Sequence, residues 1–387
     1  MPRALIALIL AFAVLAVPAS AAPRKAPKGA AFYKPPQHLK AKHGGLIWAR
    51  KQTGRDALKG ARNELLLYRS KDAGGKTIAV SGSLAIPKGK APNGGWPVIT
   101  YAHGTTGDAD ACAPTRGFDA EKLTSYAFPL LHRWLKAGYA IVRTDYQGLG
   151  TPGIHEYLVG KSEGRSVLDA VRAARGFDRK LSKRFVISGH SQGGHAALFA
   201  AAEAPRYVPD LKLRGTVAFA PASHLRAQFE TAAKAPITSG GLAGIILLGL
   251  RGIDAADPSL GVPSLLSPQA ATFYPQTKTE CLNKLSQPES IGGVPLNQIL
   301  RSNADLTQLL AADAESDPEN LTPRTPVRIE QGTADTTVFP AFTDQLVAEY
   351  QQNGVNVTYK KYDGVTHGGV VDAAAKDATS YIKRRLK

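Results

Sequence analysis

The stretch from Phe185 to Ala197, Phe-Val-Ile-Ser-Gly-His-Ser-Gln-Gly-Gly-His-Ala-Ala, leaves few folds open to this chain. Its first apolar residues, 185–187, read as a buried strand; the strand breaks at Gly189, and the Ala-rich residues 195–202 read as a helix. Between strand and helix lies Gly-x-Ser-x-Gly, the pattern of a serine held on a strained turn with its oxygen raised above the sheet. The glycines have a steric task, because so tight a turn leaves no room for side chains two residues either side of Ser191. The helix that starts beside the serine adds free N–H groups and the positive end of its dipole. In a chain with 38 glycines the pattern alone is weak, and the flanking strand and helix make it an expectation.

A serine hydroxyl is a poor nucleophile at neutral pH and needs an adjacent base that is itself oriented by an acid. In strand–turn–helix sites of this kind the chain order is serine, acid, histidine. His367, in Gly364-Val365-Thr366-His367-Gly368-Gly369 after the last expected strand, is the candidate base. His190 is locked beside the serine, His195 lies inside the helix, His103 precedes the constellation and His224 opens an insertion, so each fits less well. The candidate acid is Asp335, at the carboxyl end of the penultimate strand, where catalytic groups of open α/β sheets gather. Asp145, after an earlier strand, is its rival, and Glu330 and Asp363 are fallbacks. Acyl transfer also needs donors for a tetrahedral oxyanion. The backbone N–H of Gln192 is one expected donor, and Thr105, with Thr106 beside it, is the other, in the loop His103-Gly104-Thr105-Thr106.

The rest of the chain supplies a frame for these residues. Strand patterns at 46–48, 63–69 and 77–86 read as antiparallel opening strands. From Trp96 the rhythm becomes strand, loop, helix, which implies a parallel sheet covered on both faces. Strands are expected at 98–101, 139–144, 213–219, 327–330 and 355–361, and helices at 121–136, 163–175, 340–352 and from Val371. After Ala220-Pro221 the alternation stops, and 223–234, 239–252 and 295–312 read as helices. This divides the chain into a signal peptide at 1–22, a first part of the core at 23–221, a helical cap at 222–322 and a second part of the core at 323–387. Residues 23–42, rich in Pro and Lys, read as an extended surface arm.

Residues 1–22 carry Arg3, an apolar run too short to span a bilayer comfortably, and a small-residue cleavage site. A cleaved secretory signal, and a secreted or periplasmic protein with no transmembrane segment in the mature chain, are therefore expected. Export permits a disulfide, and Cys112 and Cys281, the two cysteines, are its candidates. No Cys/His cluster has zinc-ligand spacing, so no metal is expected. The net charge of +17 is scattered rather than gathered on a module, which argues against a nucleic-acid binder. It fits either solubility or a weak attraction to anionic envelope or lipid surfaces.

From Trp96 onward the chain resembles the α/β-hydrolase superfamily, and within it the secretory lipase family. The resemblance rests on Tyr101-Ala102-His103-Gly104-Thr105, Asp145-Tyr146-Gln147-Gly148-Leu149-Gly150, Tyr157-Leu158-Val159-Gly160, residues 166–175 and Gly189 to Gly194. It implies an α/β-hydrolase fold: a mostly parallel sheet with helices on both faces and a helical cap before the acid-bearing strand. It places nucleophile, acid and histidine at Ser191, Asp335 and His367, and it implies hydrolysis of a small-molecule ester or lipid without metal or organic cofactor. The oxyanion loop departs from the fungal pattern, so Thr105 and Thr106 both stay open. The run Leu242, Ile245, Ile246, Leu247, Leu248 and Leu250 is too continuous for one helix face; core packing, an acyl pocket or a lid that touches lipid interfaces would each use it. Two other readings stand beside the lipase or esterase: a peptidase or amidase with the same apparatus, and a non-catalytic envelope-binding protein on this scaffold.

Overall fold

The computed structural model describes residues 26–40, 42–117 and 122–387. The proposed signal peptide lies outside the described residues.

A nine-stranded sheet runs through the described residues in the order β1-β2-β3-β5-β4-β6-β7-β8-β9. Strands β1 (Leu46–Lys51), β2 (Ala61–Lys71) and β3 (Thr77–Pro87) form an antiparallel opening, and β3 pairs antiparallel with β5 (Ala140–Gln147). From β5 onward, through β4 (Trp96–Ala102), β6 (Leu181–His190), β7 (Lys212–Phe219), β8 (Val327–Gly332) and β9 (Val357–Tyr362), every pairing is parallel. Parallel neighbours need crossovers, and helices supply them on both faces. Helices α2 (Gly160–Phe177) and α3 (Gln192–Tyr207) cover one face, α1 (Phe128–Lys136) and α8 (Ala375–Leu386) the other, and α7 (Pro340–Gln352) packs on β8. Side chains of the central strands alternate between these layers. Val98 and Phe185 join the core under α2 and α3, while Ile99 and Val186 join the core under α1 and α8.

The chain order of the sheet reverses at β4, which has β5 on one side and β6 on the other. In open α/β sheets such a switch point leaves a crevice beyond the carboxyl ends of the strands. The loop after β4 and the turn after β6 both open into it.

Between β7 and β8 the chain leaves the sheet and forms α4 (Leu225–Ala232), α5 (Gly240–Ala256), α6 (Thr307–Ala314) and several single turns. They pack around their own apolar cluster, which includes Leu247, Leu266, Leu285, Ile291 and Leu309. No described helix is long and apolar enough to cross a membrane.

Three local expectations are corrected. Residues 295–312 are not one helix: a short turn at Leu296–Gln298 is followed only later by α6. Asp305 Oδ1 accepts the Thr307 N–H at 3.0 Å, so a side chain takes the backbone donor that a continuing helix would use. The helix expected at 121–136 is interrupted: residues 122–124 are helical, Ser125–Ala127 tightens to a 3₁₀ turn and α1 follows, while residue 121 lies outside the described residues. The arm at 23–42 is docked over its described part, not extended on the surface. Phe32 and Tyr33 are buried with Trp48, whose indole N–H donates to the Phe32 carbonyl at 2.9 Å. Two adjacent aromatic rings bury more apolar area than a surface arm would leave in water.

Candidate active site

Ser191 stands between β6 and α3 with φ 58° and ψ −121°, a left-handed backbone that a non-glycine residue adopts only under constraint. Its N–H donates to Phe219 O at 2.9 Å, and its own carbonyl accepts the His195 N–H at 3.0 Å. A Cβ at Gly189 would stand 1.9 Å from Gly193 O, and one at Gly193 would stand 2.0 Å from Ala102 O. Any side chain at either position therefore breaks the turn or pushes β4 away.

His367 follows β9 on a loop tied back to the end of β8, where the Ala334 N–H donates to Val365 O at 3.0 Å. Its Nδ1 donates to Asp335 Oδ2 at 2.7 Å. Asp335 is buried and well supplied with donors: Thr337 N at 2.8 Å and Val338 N at 2.9 Å on Oδ1, and Gln331 Nε2 at 3.0 Å on Oδ2. That pairing leaves His367 Nε2 without a proton and able to accept one. The ring lies against His190, the neighbour of Ser191, with centroids 4.6 Å apart, and the His367 carbonyl accepts from His190 Nε2 at 3.0 Å. No hydrogen bond joins Ser191 Oγ to His367 among the described residues. Such bonds are often long in unliganded sites and tighten when substrate binds.

The rivals are engaged elsewhere. Asp145 is buried with Ser81 Oγ, at 2.6 Å, and Thr115, and burial raises its carboxyl to about 6. Glu330 pairs with Arg328 and Tyr362, and Asp363 accepts from Thr333. Both nitrogens of His190 are committed, Nε2 to His367 O and Nδ1 to the Tyr126 hydroxyl at 2.6 Å, and burial pushes its imidazole well below the usual range. It is neutral and has no free nitrogen for Ser191. Burial likewise lowers His103 to about 4; its Nδ1 donates to Gly104 O at 2.7 Å.

The Gln192 N–H opens α3, and neither it nor the Thr105 N–H has an acceptor among the described residues. Thr105 is buried, and its hydroxyl is hydrogen bonded to Tyr157 OH at 2.8 Å. The next residue, Thr106, offers its carbonyl to Leu282 N at 2.8 Å, while Gly107 bridges to Cys281. Cys112 and Cys281 are joined by a disulfide, with Cα atoms 5.5 Å apart. The loop after β4 is thus tied to the insertion by a covalent bond and two backbone contacts.

A cavity of about 120 Å³ leads away from Ser191. One wall is a stripe of α5, Leu242, Ile245, Ile246, Gly249 and Ile253, at helical spacing. The opposite face of α5, with Ala243, Leu247 and Leu248, is buried in the insertion's own core. The continuous apolar run therefore has two uses, one per face. Gly249 leaves a gap in the stripe, since a Cβ there would meet nothing within 4 Å. Phe339, 41% exposed, stands at the cavity's rim. Among the described residues no cluster of His, Cys, Asp or Glu is arranged to hold a metal ion.

Sequence reasoning passed over Glu163, His155 and Tyr157 as site residues. Glu163 had a legible signal: it lies four residues before Val167, on the same buried face of α2, where a core side chain is due.

The family model described as secretory lipase matches residues 120–387. The chain belongs to the secretory lipase family. A relative named secreted triacylglycerol lipase, from Malassezia globosa, is 28% identical over 241 residues, 59% of this chain and 50% of that protein. A protein named probable inactive lipase, from Mycobacterium tuberculosis, is 26% identical over 322 residues, 76% of this chain and 67% of that protein. This secretory-lipase chain spans about half the length of the first curated relatives it matches. Among solved structures, Candida antarctica lipase A in its closed state superposes with a TM-score of 0.74 at 20% identity, covering 89% of this chain and 82% of that one. The shared architecture is the α/β-hydrolase fold.

Proposed function

We propose that this secretory lipase family member is an exported serine hydrolase of carboxylic esters, with Ser191, His367 and Asp335 as its triad. The observation that carries the reading is the His367–Asp335 pair set beside a strained serine at the mouth of an apolar cavity. Ser191 Oγ attacks the ester carbonyl as His367 Nε2 takes its proton. The Gln192 and Thr105 amides receive the oxyanion, and His367 then protonates the departing alcohol. Water, deprotonated by the same imidazole, attacks the acyl-enzyme and releases the acid. Asp335 holds the tautomer and offsets the charge of the transient imidazolium.

The insertion at 222–322 acts in this reading as a cap, and its cavity receives the acyl chain. The apolar lining favours an ester of an apolar acid over a peptide, whose amides would lose their hydrogen bonds there. The name of the mycobacterial relative keeps a binding protein as the second reading. A fluorophosphonate separates the two: the hydrolase reading expects an adduct on Ser191, and a folded protein that takes none favours the binder. Turnover of p-nitrophenyl esters of graded length, run beside peptide substrates, then tests the substrate class.

The gap at Gly249 makes a sharper prediction. Gly249→Phe places a ring across the cavity, so kcat/KM for long-chain esters falls about tenfold or more while acetate and butyrate esters change little. Equal losses at all chain lengths would remove the acyl chain from this cavity.

A further inference from the structure

Glu163 is almost wholly buried in the first turns of α2, and its carboxylate is shared by groups from two other segments. Oε1 accepts from Gln192 Nε2 at 2.7 Å and from the Leu158 N–H at 3.0 Å; Oε2 faces His195 Nδ1 at 3.1 Å. His195 Nε2 donates to Ser316 O at 2.8 Å, so the proton on its other side lies between Nδ1 and Oε2. His155 completes the cluster. Its Nδ1 donates to Gln147 O at 2.8 Å, and its Nε2 accepts the second Gln192 amide proton at 2.9 Å. Burial lowers the His155 imidazole, in keeping with a neutral ring that accepts there.

Such a cluster exceeds what packing alone calls for. A fully buried carboxylate is costly unless each oxygen is satisfied, and an apolar side chain would fill α2's inner face at less cost. What the carboxylate holds is specific. Gln192 carries one of the two backbone N–H groups proposed to receive the oxyanion. Leu158 has φ 59°, a strained position kept by the hydrogen bond from its own N–H to Glu163. Its neighbour Tyr157 hydrogen bonds the hydroxyl of Thr105, the residue with the other N–H.

We propose that Glu163 is a positioning residue for the oxyanion site, acting on Gln192 directly and on Thr105 through the Leu158–Tyr157 segment. The inference rests on the hydrolase reading above. Glu163 touches no reacting atom. It keeps two donors from different loops converged on one point, which is the condition under which preorganised N–H groups lower a barrier.

The test pairs ester kinetics with binding of a trifluoromethyl ketone, whose serine adduct places an oxyanion in the site. Glu163→Gln keeps size and shape but withdraws the charge. It is expected to lower kcat by about tenfold to a hundredfold, leave KM within about twofold, and weaken the trifluoromethyl ketone in step with kcat/KM. Tyr157→Phe removes only the hydroxyl that holds Thr105 and is expected to act in the same direction, more weakly; it serves if Glu163→Gln does not fold. Unchanged ketone affinity in either folded variant, with the loss confined to melting temperature, would overturn the inference. A wild-type protein that hydrolyses no ester and takes no fluorophosphonate overturns the hydrolase reading instead, before any variant is compared.

Discussion

Ser191→Ala lowers turnover of a short-chain ester by about 10⁶, to within roughly 10³–10⁴ of the uncatalysed rate, by analogy with other serine triads. The size follows from what the hydroxyl does. Without it there is no covalent intermediate, and His367 has nothing to deprotonate but water, which the turn at Ser191 does not position. The remaining rate comes from binding and from the oxyanion donors, which the substitution leaves in place. Alanine must accept the same φ of 58° that serine tolerates, so the fold is expected to persist. Purified protein with an unchanged circular dichroism spectrum should therefore lose both turnover and fluorophosphonate labelling. A folded Ser191→Ala protein that still turns over the ester at more than about a hundredth of the wild-type rate would move the nucleophile elsewhere, because no triad retains so much.

Replacing both Cys112 and Cys281 with alanine destabilises the protein by about 3–5 kcal/mol and lowers its melting temperature by roughly 10 °C. The bond joins residues 169 positions apart. Removing it releases a long loop in the unfolded chain, and loop-closure entropy grows only slowly beyond such lengths. The place of the bond adds a functional consequence. Cys281 sits where the insertion meets the loop after β4, beside the Gly107 bridge and the Leu282–Thr106 hydrogen bond. Chemistry should survive at low temperature and fade on warming before the sheet melts, because the Thr105 loop loses its tether to the insertion. Calorimetry of oxidised, reduced and double-alanine proteins checks this; three identical melting temperatures would show that the bond adds nothing to stability.

Much of the frame was legible along the chain because its causes are local. Phe185, Val186 and Ile187 alternate between two helix layers, and small residues run through α3, so strand and helix announce themselves within one short window. The steric demand at Gly189 and Gly193 is also local, set by atoms of the turn and of the adjoining strand. The strands from Trp96 onward lie where their β-branched and aromatic residues suggest, and the insertion begins where the strand–helix rhythm stops.

Choices between chemically equal candidates had no local cause. Asp145 lies inside β5 near its carboxyl end and Asp335 just after β8, yet only Asp335 lies beside His367, because the sheet order sets β8 against β9 and leaves β5 on the far side of β4. The face of α2 that carries Glu163 could be read from its spacing to Val167, but the partners of its carboxylate, on α3 and in the 155–158 segment, could not. Helix α5 reads as one uninterrupted apolar run, and its division into a core face and a cavity face depends on which neighbours arrive. A backbone turn or a strand is determined by residues a few positions apart, whose preferences are written side by side in the chain. The partner of a carboxylate, the meeting of Cys112 with Cys281 and the lining of a cavity are determined by groups brought together from distant positions, and burial and hydrogen bonding act on them only once the whole sheet has formed.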